Sequence, residues 1–168
     1  MRFASLAGLL ALAPVVVVAQ QQPPKPACAT AEFRAFDFWV GEWEVIDTAG
    51  RVIAESSIQR QAGGCAITEL WQPKGGYPGG TSISWLDPVD QMWHQQWVGG
   101  GGRNTRYSGG LVDRVMVMVG DTAQPNGIFF RMRWTPLTDG RVEQQQQTGN
   151  SRAGPWTTGF VGIYRKKG

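Results

Sequence analysis

The chemistry available to this chain is limited by what it lacks. His94 is its one histidine, which removes any multi-histidine zinc centre, and Cys28 and Cys65 are its two cysteines, without the Cys-x-x-Cys spacing of a redox pair. No Gly-x-Ser-x-Gly elbow is present for a nucleophilic serine. The glycines Gly99 to Gly102, followed by Arg103 and Arg106, have the composition of a phosphate cradle. Neither a Gly-Lys-Ser/Thr sequence nor a helical pattern follows them, and they read as a flexible hairpin. Glu42, Glu44, Glu55 and Glu69 fall on early strand-like runs, where a pair would suit acid-base work, but carboxylates on such runs read as solvent-facing. No catalytic residue and no metal site are therefore assigned, and the chain is not expected to be an enzyme.

Binding chemistry has more to draw on. Trp43, Trp71, Trp93 and Trp97 supply apolar walls, His94 lies between two of them, and glutamines recur at Gln95, Gln96 and Gln144 to Gln147. Arg131 and Arg133 share one face of a run whose other face carries Phe130, Met132 and Trp134. Pointing inward, the two arginines would clamp a carboxylate or phosphate; pointing outward, they are surface charge, and the alternation leaves both open. Trp43, Trp71, Trp93, His94, Trp97, Arg131 and Arg133 form the candidate ligand-binding set.

These residues have to be placed by strands. In Trp39 to Val45, the residues Trp39, Gly41, Trp43 and Val45 alternate with Glu42 and Glu44, the period of a strand with one buried side. From there the chain reads as about ten strands: 39–47, 52–60, 65–72, 81–86, 92–98, 105–109, 113–119, 128–135, 141–148 and 156–165. Turn residues separate them at Ala49-Gly50, Gly63-Gly64, Asp87-Pro88, Pro125-Asn126-Gly127, Asp139-Gly140 and Gly154-Pro155. Short connections make sequential strands antiparallel neighbours, and a long meander removes its exposed edges by closing. The expected fold is all-β, an antiparallel meander barrel. A short helix from Thr30 as N-cap through Phe38 should close one end, and the glycine-rich loops 73–80 and 99–102 should lie near a rim.

The N-terminal part reads differently. Met1-Arg2 and the apolar run to Val18, ending in small residues at Ala19, predict a signal peptide over 1–19 rather than a membrane anchor. A Pro/Gln-rich linker over 20–29 leads into one domain over 30–168, long enough to bury about 70% of its unfolded surface. The expected product is exported, periplasmic or extracellular, with no stable membrane span after cleavage. In that compartment Cys28 and Cys65 are expected to form a disulfide contributing roughly 3 to 4 kcal/mol. The formal charge of +3 is spread along the chain, which gives no nucleic-acid signal.

Gly41-Glu42-Trp43, after a short aromatic segment and before a meander, resembles the calycin group of lipocalins and fatty-acid-binding-like barrels. There a Gly-x-Trp opens the first strand, and a basic residue near the end of the last strand packs over the tryptophan. The resemblance implies structural roles for Gly41 and Trp43 and gives Arg165 the basic position. The Asp37-Phe38-Trp39-Val40-Gly41-Glu42-Trp43 run also resembles an uncharacterised family of exported bacterial proteins, as do Gly64-Cys65, Glu69 to Trp71, Trp93 to Trp97 and Trp156 to Tyr164. Related barrels that hold haem through one histidine make haem at His94 the alternative to no cofactor. The function expected is an exported barrel binding a small apolar or acidic amphipathic ligand. The alternative is a structural or interaction protein of the cell envelope, its barrel filled by its own aromatics.

Overall fold

A computed structural model describes residues 27–167. Ten antiparallel strands follow in order: β1 (Gly41–Ile46), β2 (Val52–Gln61), β3 (Ala66–Pro73), β4 (Gly80–Leu86), β5 (Trp93–Gly99), β6 (Asn104–Val112), β7 (Val115–Gly120), β8 (Phe129–Pro136), β9 (Val142–Gly149) and β10 (Thr157–Lys166). Each pairs with the next, and β10 returns to pair with β1, closing the barrel. The all-β meander read from alternation and turn residues is thus the fold, and its closed ten-strand form is compatible with a calycin-like barrel. The expected signal peptide over 1–19 lies outside the described residues. No helix among those described is long and apolar enough to cross a membrane.

The helical cap is shorter than its sequence suggests. A four-residue helix, α1 (Ala31–Arg34), is followed by a separate 3-10 turn over Asp37–Trp39, and the Thr30 side chain makes no capping hydrogen bond. Phe36 and Trp39 turn inward from this segment and stack with centroids 4.8 Å apart. Phe36 meets Trp93 and Trp134 edge-on at 5.7 and 5.1 Å. With Trp43, Ile58, Ile67, Met116, Met118 and Val142, all essentially without solvent exposure, they fill one end of the barrel. The Cys28–Cys65 disulfide ties the segment before α1 to the start of β3, so the plug is covalently fastened to the wall it stops.

At the other end the glycine-rich loops meet. The Gly100 amide of the β5–β6 loop donates to the Gly79 carbonyl of the β3–β4 loop at 2.6 Å. Gly80 opens β4 with no side chain because the Trp97 ring occupies that space: a Cβ there would lie 2.4 Å from Trp97 Cζ2. The mouth thus keeps an indole packed close against the backbone of β4.

Several strand boundaries differ from the expected ones: Trp39 belongs to the 3-10 turn rather than to β1, and β6 runs on to Val112 rather than ending at Gly109. Asp113 begins no strand; Asp113 and Arg114 form the tight β6–β7 turn with φ of 47° and 68°. Two successive left-handed residues suit a two-residue hairpin, but the pair carries no glycine or asparagine to announce it.

Candidate functional site

The inward face follows from the register. On β3 the residues Ile67, Glu69 and Trp71 point in; across the ladders they meet Ser84, Ser82 and Gly80 of β4, which in turn face Gln95, Trp97 and Gly99 of β5. On β8 the inward residues are Phe130, Met132 and Trp134, opposite Thr148, Gln146 and Gln144 of β9. Between the aromatic plug and the glycine-rich mouth this leaves a cavity of about 250 Å³. It is lined by Glu69, Trp71, Gln95, Trp97, Tyr107 and Met132, together with Gln144, Gln146, Phe160, Tyr164 and, at the mouth, Arg103.

The floor is polar and shielded from water. Glu69 is 4% exposed. Ser56 Oγ donates to its Oε1 at 2.9 Å and Ser82 Oγ approaches its Oε2 at 3.3 Å. Tyr164 Oη stands 3.3 Å from Glu69 Oε1 and 2.6 Å from Gln144 Oε1. A phenol has one proton, and the shorter contact takes it, so the Glu69 to Tyr164 contact is a hydrogen bond when the carboxyl carries a proton of its own. Burial agrees: desolvation raises the Glu69 pKa from 4.5 to about 7, against the opposing pull of the Ser56, Ser82 and Tyr164 hydroxyls. Burial likewise pushes the Tyr107 phenol up to about 12 and the Tyr164 phenol well above its ordinary value, the latter also repelled by Glu69. Elsewhere in the lining, Gln95 Nε2 donates to Ser84 Oγ at 3.1 Å, and at the mouth the Arg103 guanidinium lies over the Phe130 ring, 5.8 Å from its centroid.

Of the seven candidate ligand residues, Trp71 and Trp97 line this cavity. Trp43 and Trp93 point inward but belong to the packed end. His94 lies on the outer face of β5, where its Nε2 contacts Asp90 Oδ2 at 2.9 Å and its ring stacks on Trp85. A haem in the lumen has no ligand from it. Arg131 and Arg133 also take the outer face, because Met132 and Trp134 are packed inside: Arg131 donates through Nε to Gln147 Oε1 at 2.6 Å and lies 4.8 Å over the Trp156 ring. An inward arginine clamp is therefore absent from the described lumen.

Two further expectations are corrected. Glu42, Glu44 and Glu55 do face outward, Glu55 toward Lys74 and Lys167, which hold its carboxyl down to about 2. Glu69, read as solvent-facing, is the buried member; the signal was its shared parity with Ile67 and Trp71. Arg165 is not the cation over Trp43. It is the register partner of Glu44 and pairs with it outside the barrel at 2.7 Å, whereas Lys166, partner of Trp43, places Nζ 5.4 Å from the indole centroid. Gly41 does make room for Trp43: its φ is 151°, and a Cβ there would lie 3.3 Å from the ring. Trp43 in turn donates Nε1–H to the Trp39 carbonyl at 2.9 Å, fixing the plug to the first strand.

Against known proteins, the chain matches no protein-family model and no curated protein.

Proposed function

We propose that this protein is an exported barrel that binds a small amphipathic molecule in its lumen. The observation that carries the reading is the half-filled interior: one end is packed solid by Phe36, Trp39, Trp43 and Trp134, while the other holds a cavity of about 250 Å³ with aromatic walls and a polar floor. A few convergent polar groups in a concave aromatic site are the common form of a ligand pocket, and the volume, below the ~300 Å³ lower bound for drug-sized ligands, suits a molecule of one or two rings. The Cys28–Cys65 disulfide supports export. Membership of the exported family that shares the Asp37 to Trp43 motif is part of the same proposal. Binding rather than turnover is favoured because Glu69 has no second carboxyl or imidazole beside it in the lining. The test is a thermal-shift and tryptophan-fluorescence screen with one- and two-ring compounds, repeated on Met132→Trp, which fills the cavity. Binding by the parent and not by the folded variant supports the proposal; a parent that binds nothing, or a variant that binds equally, refutes it.

A second reading, an interaction protein of the envelope, has its own observation. Leu70, Ile83 and Val98 are exposed on the outer face of β3, β4 and β5, beside the exposed Tyr77, an apolar patch of the sort that partners cover.

A further inference from the structure

We infer that the ligand is a small organic cation, in class an arylalkylamine, whose ammonium group rests on the Glu69 carboxyl while its ring lies among the aromatic walls. This rests on the lumen being a binding site. Four features of the cavity point the same way.

Glu69 is the one carboxyl in the lining, and none of the ion pairs among the described residues includes it. A carboxylate offers about four lone-pair positions, and the hydroxyls of Ser56 and Ser82 address two, the Tyr164 phenol giving its proton to Gln144, which leaves room for a donor arriving from the cavity. Trp71, Trp97, Phe160 and Tyr107 line that approach with aromatic rings, whose faces attract cations, and Gln95, Gln144 and Gln146 add amide groups to the same lining. Above about pH 7, where Glu69 is ionised, an anionic head is disfavoured in the same place, because its charge would be set against the carboxylate at the floor.

The charged and titratable groups facing Glu69 are few. β2 and β4 present Ser56 and Ser82, β9 and β5 present Gln144 and Gln95, and β10 and β6 present the phenols Tyr164 and Tyr107. Arg103, the remaining charge, stays at the mouth over Phe130. Without a cation the buried carboxyl keeps its proton until the pH reaches about 7. When an ammonium ion enters, Glu69 gives its proton to solvent and an ion pair replaces the neutral acid. Cation binding is thereby linked to proton release.

The test uses the oxidised protein and three probes of one shape: phenethylamine, phenethyl alcohol and 3-phenylpropionate. Calorimetric titration should show amine affinity rising about tenfold per pH unit from about pH 5.5 to 7 and levelling above, with the alcohol insensitive to pH and the carboxylate weakest. Titrations in buffers of different ionisation enthalpy count the protons: about one released per amine bound near pH 5.5, almost none near pH 8.5, and none with the alcohol. This measurement needs no variant. Glu69→Gln should bind amine at least tenfold more weakly at about pH 8, lose the pH slope and keep the alcohol. A preference for the carboxylate, amine binding without proton release, or an unchanged slope in Glu69→Gln overturns the inference. Alcohol binding with no preference for amine sinks the inference and leaves the lumen-binding reading standing, whereas binding of none of the three sinks both.

Discussion

Glu69→Gln should remove a pH dependence of stability that the parent protein carries alone. In the unfolded chain the carboxyl titrates at 4.5, and in the barrel at about 7, because burial penalises its charged form more than three hydroxyls favour it. A raised value in the folded state means that the native protein holds the proton after the unfolded chain has lost it. The resulting stability is fully present below pH 4.5, falls as pH rises through the interval, and is gone above about 7. The interval spans roughly 2.5 pH units at about 1.4 kcal/mol each, so the parent should lose about 3 kcal/mol between pH 4.5 and pH 8 through this residue. Glutamine is nearly isosteric, keeps an oxygen for Ser56 and cannot ionise. Guanidinium titrations of both proteins at about pH 5 and pH 8, with the disulfide intact, give the difference of differences that isolates Glu69. Glu55, held near 2 by Lys167 and Lys74, changes its contribution below this window and is silent within it. The parent should be the more pH-sensitive protein, and the variant should equal or exceed it in stability at pH 8. Identical slopes in the two proteins would show that the carboxyl does not keep its proton in the barrel, and the account of the floor would be wrong.

Trp43→Ala should cost about 3 to 5 kcal/mol in a denaturant titration, because it empties a fully buried indole site, and Lys166→Ala should show measurable coupling to it while Arg165→Ala shows none. Replacing both cysteines by serine should lower stability by roughly 3 to 4 kcal/mol and leave the far-ultraviolet spectrum of a barrel, while the unreduced parent gives no free thiol on unfolding. Gly109→Ala places a Cβ 2.1 Å from the Val117 carbonyl oxygen and should cost about 1 to 3 kcal/mol, whereas Gly110→Ala, with open space beside it, should be nearly neutral. Their melting temperatures measured side by side separate steric closeness from loss of glycine as such.

Much of the fold was legible because strand structure is written locally. Alternation at period two marked all ten strands, and Gly50, Gly127 and Gly140, each at φ near 80°, punctuated them where positive φ was needed. Asp113-Arg114 is harder to see because its left-handed pair holds no glycine, and the hairpin imposes the conformation on Arg114 in particular, which has no intrinsic preference for it. The aromatic plug was foreseeable from the Phe36 to Trp43 spacing, and the disulfide from there being just two cysteines in a chain that begins like an exported one. Trp71 and Trp97 were found as cavity residues by type.

The candidate site was less legible, for one recurring reason. Period two tells which residues share a face, and it is silent on which face is inside. Arg131 and Arg133 stood as a possible clamp until the pairing of β8 with β7 and β9 placed Met132 and Trp134 in the core. The same one-residue parity moved the cation over Trp43 from Arg165 to Lys166 and turned His94 outward. Glu69 shows the limit most clearly: by residue type it belongs outside and Leu70 inside, yet Leu70 is 52% exposed and Glu69 is buried. Ile67 and Trp71 are large enough to set the orientation of β3, and the glutamate between them is carried inward, where residues from β2, β4 and β10 supply its partners. Sequence determined the strands, the turns and the pairing of faces; closure of the barrel, which brings Tyr164 to Glu69 across 95 residues of chain, decided what those faces enclose.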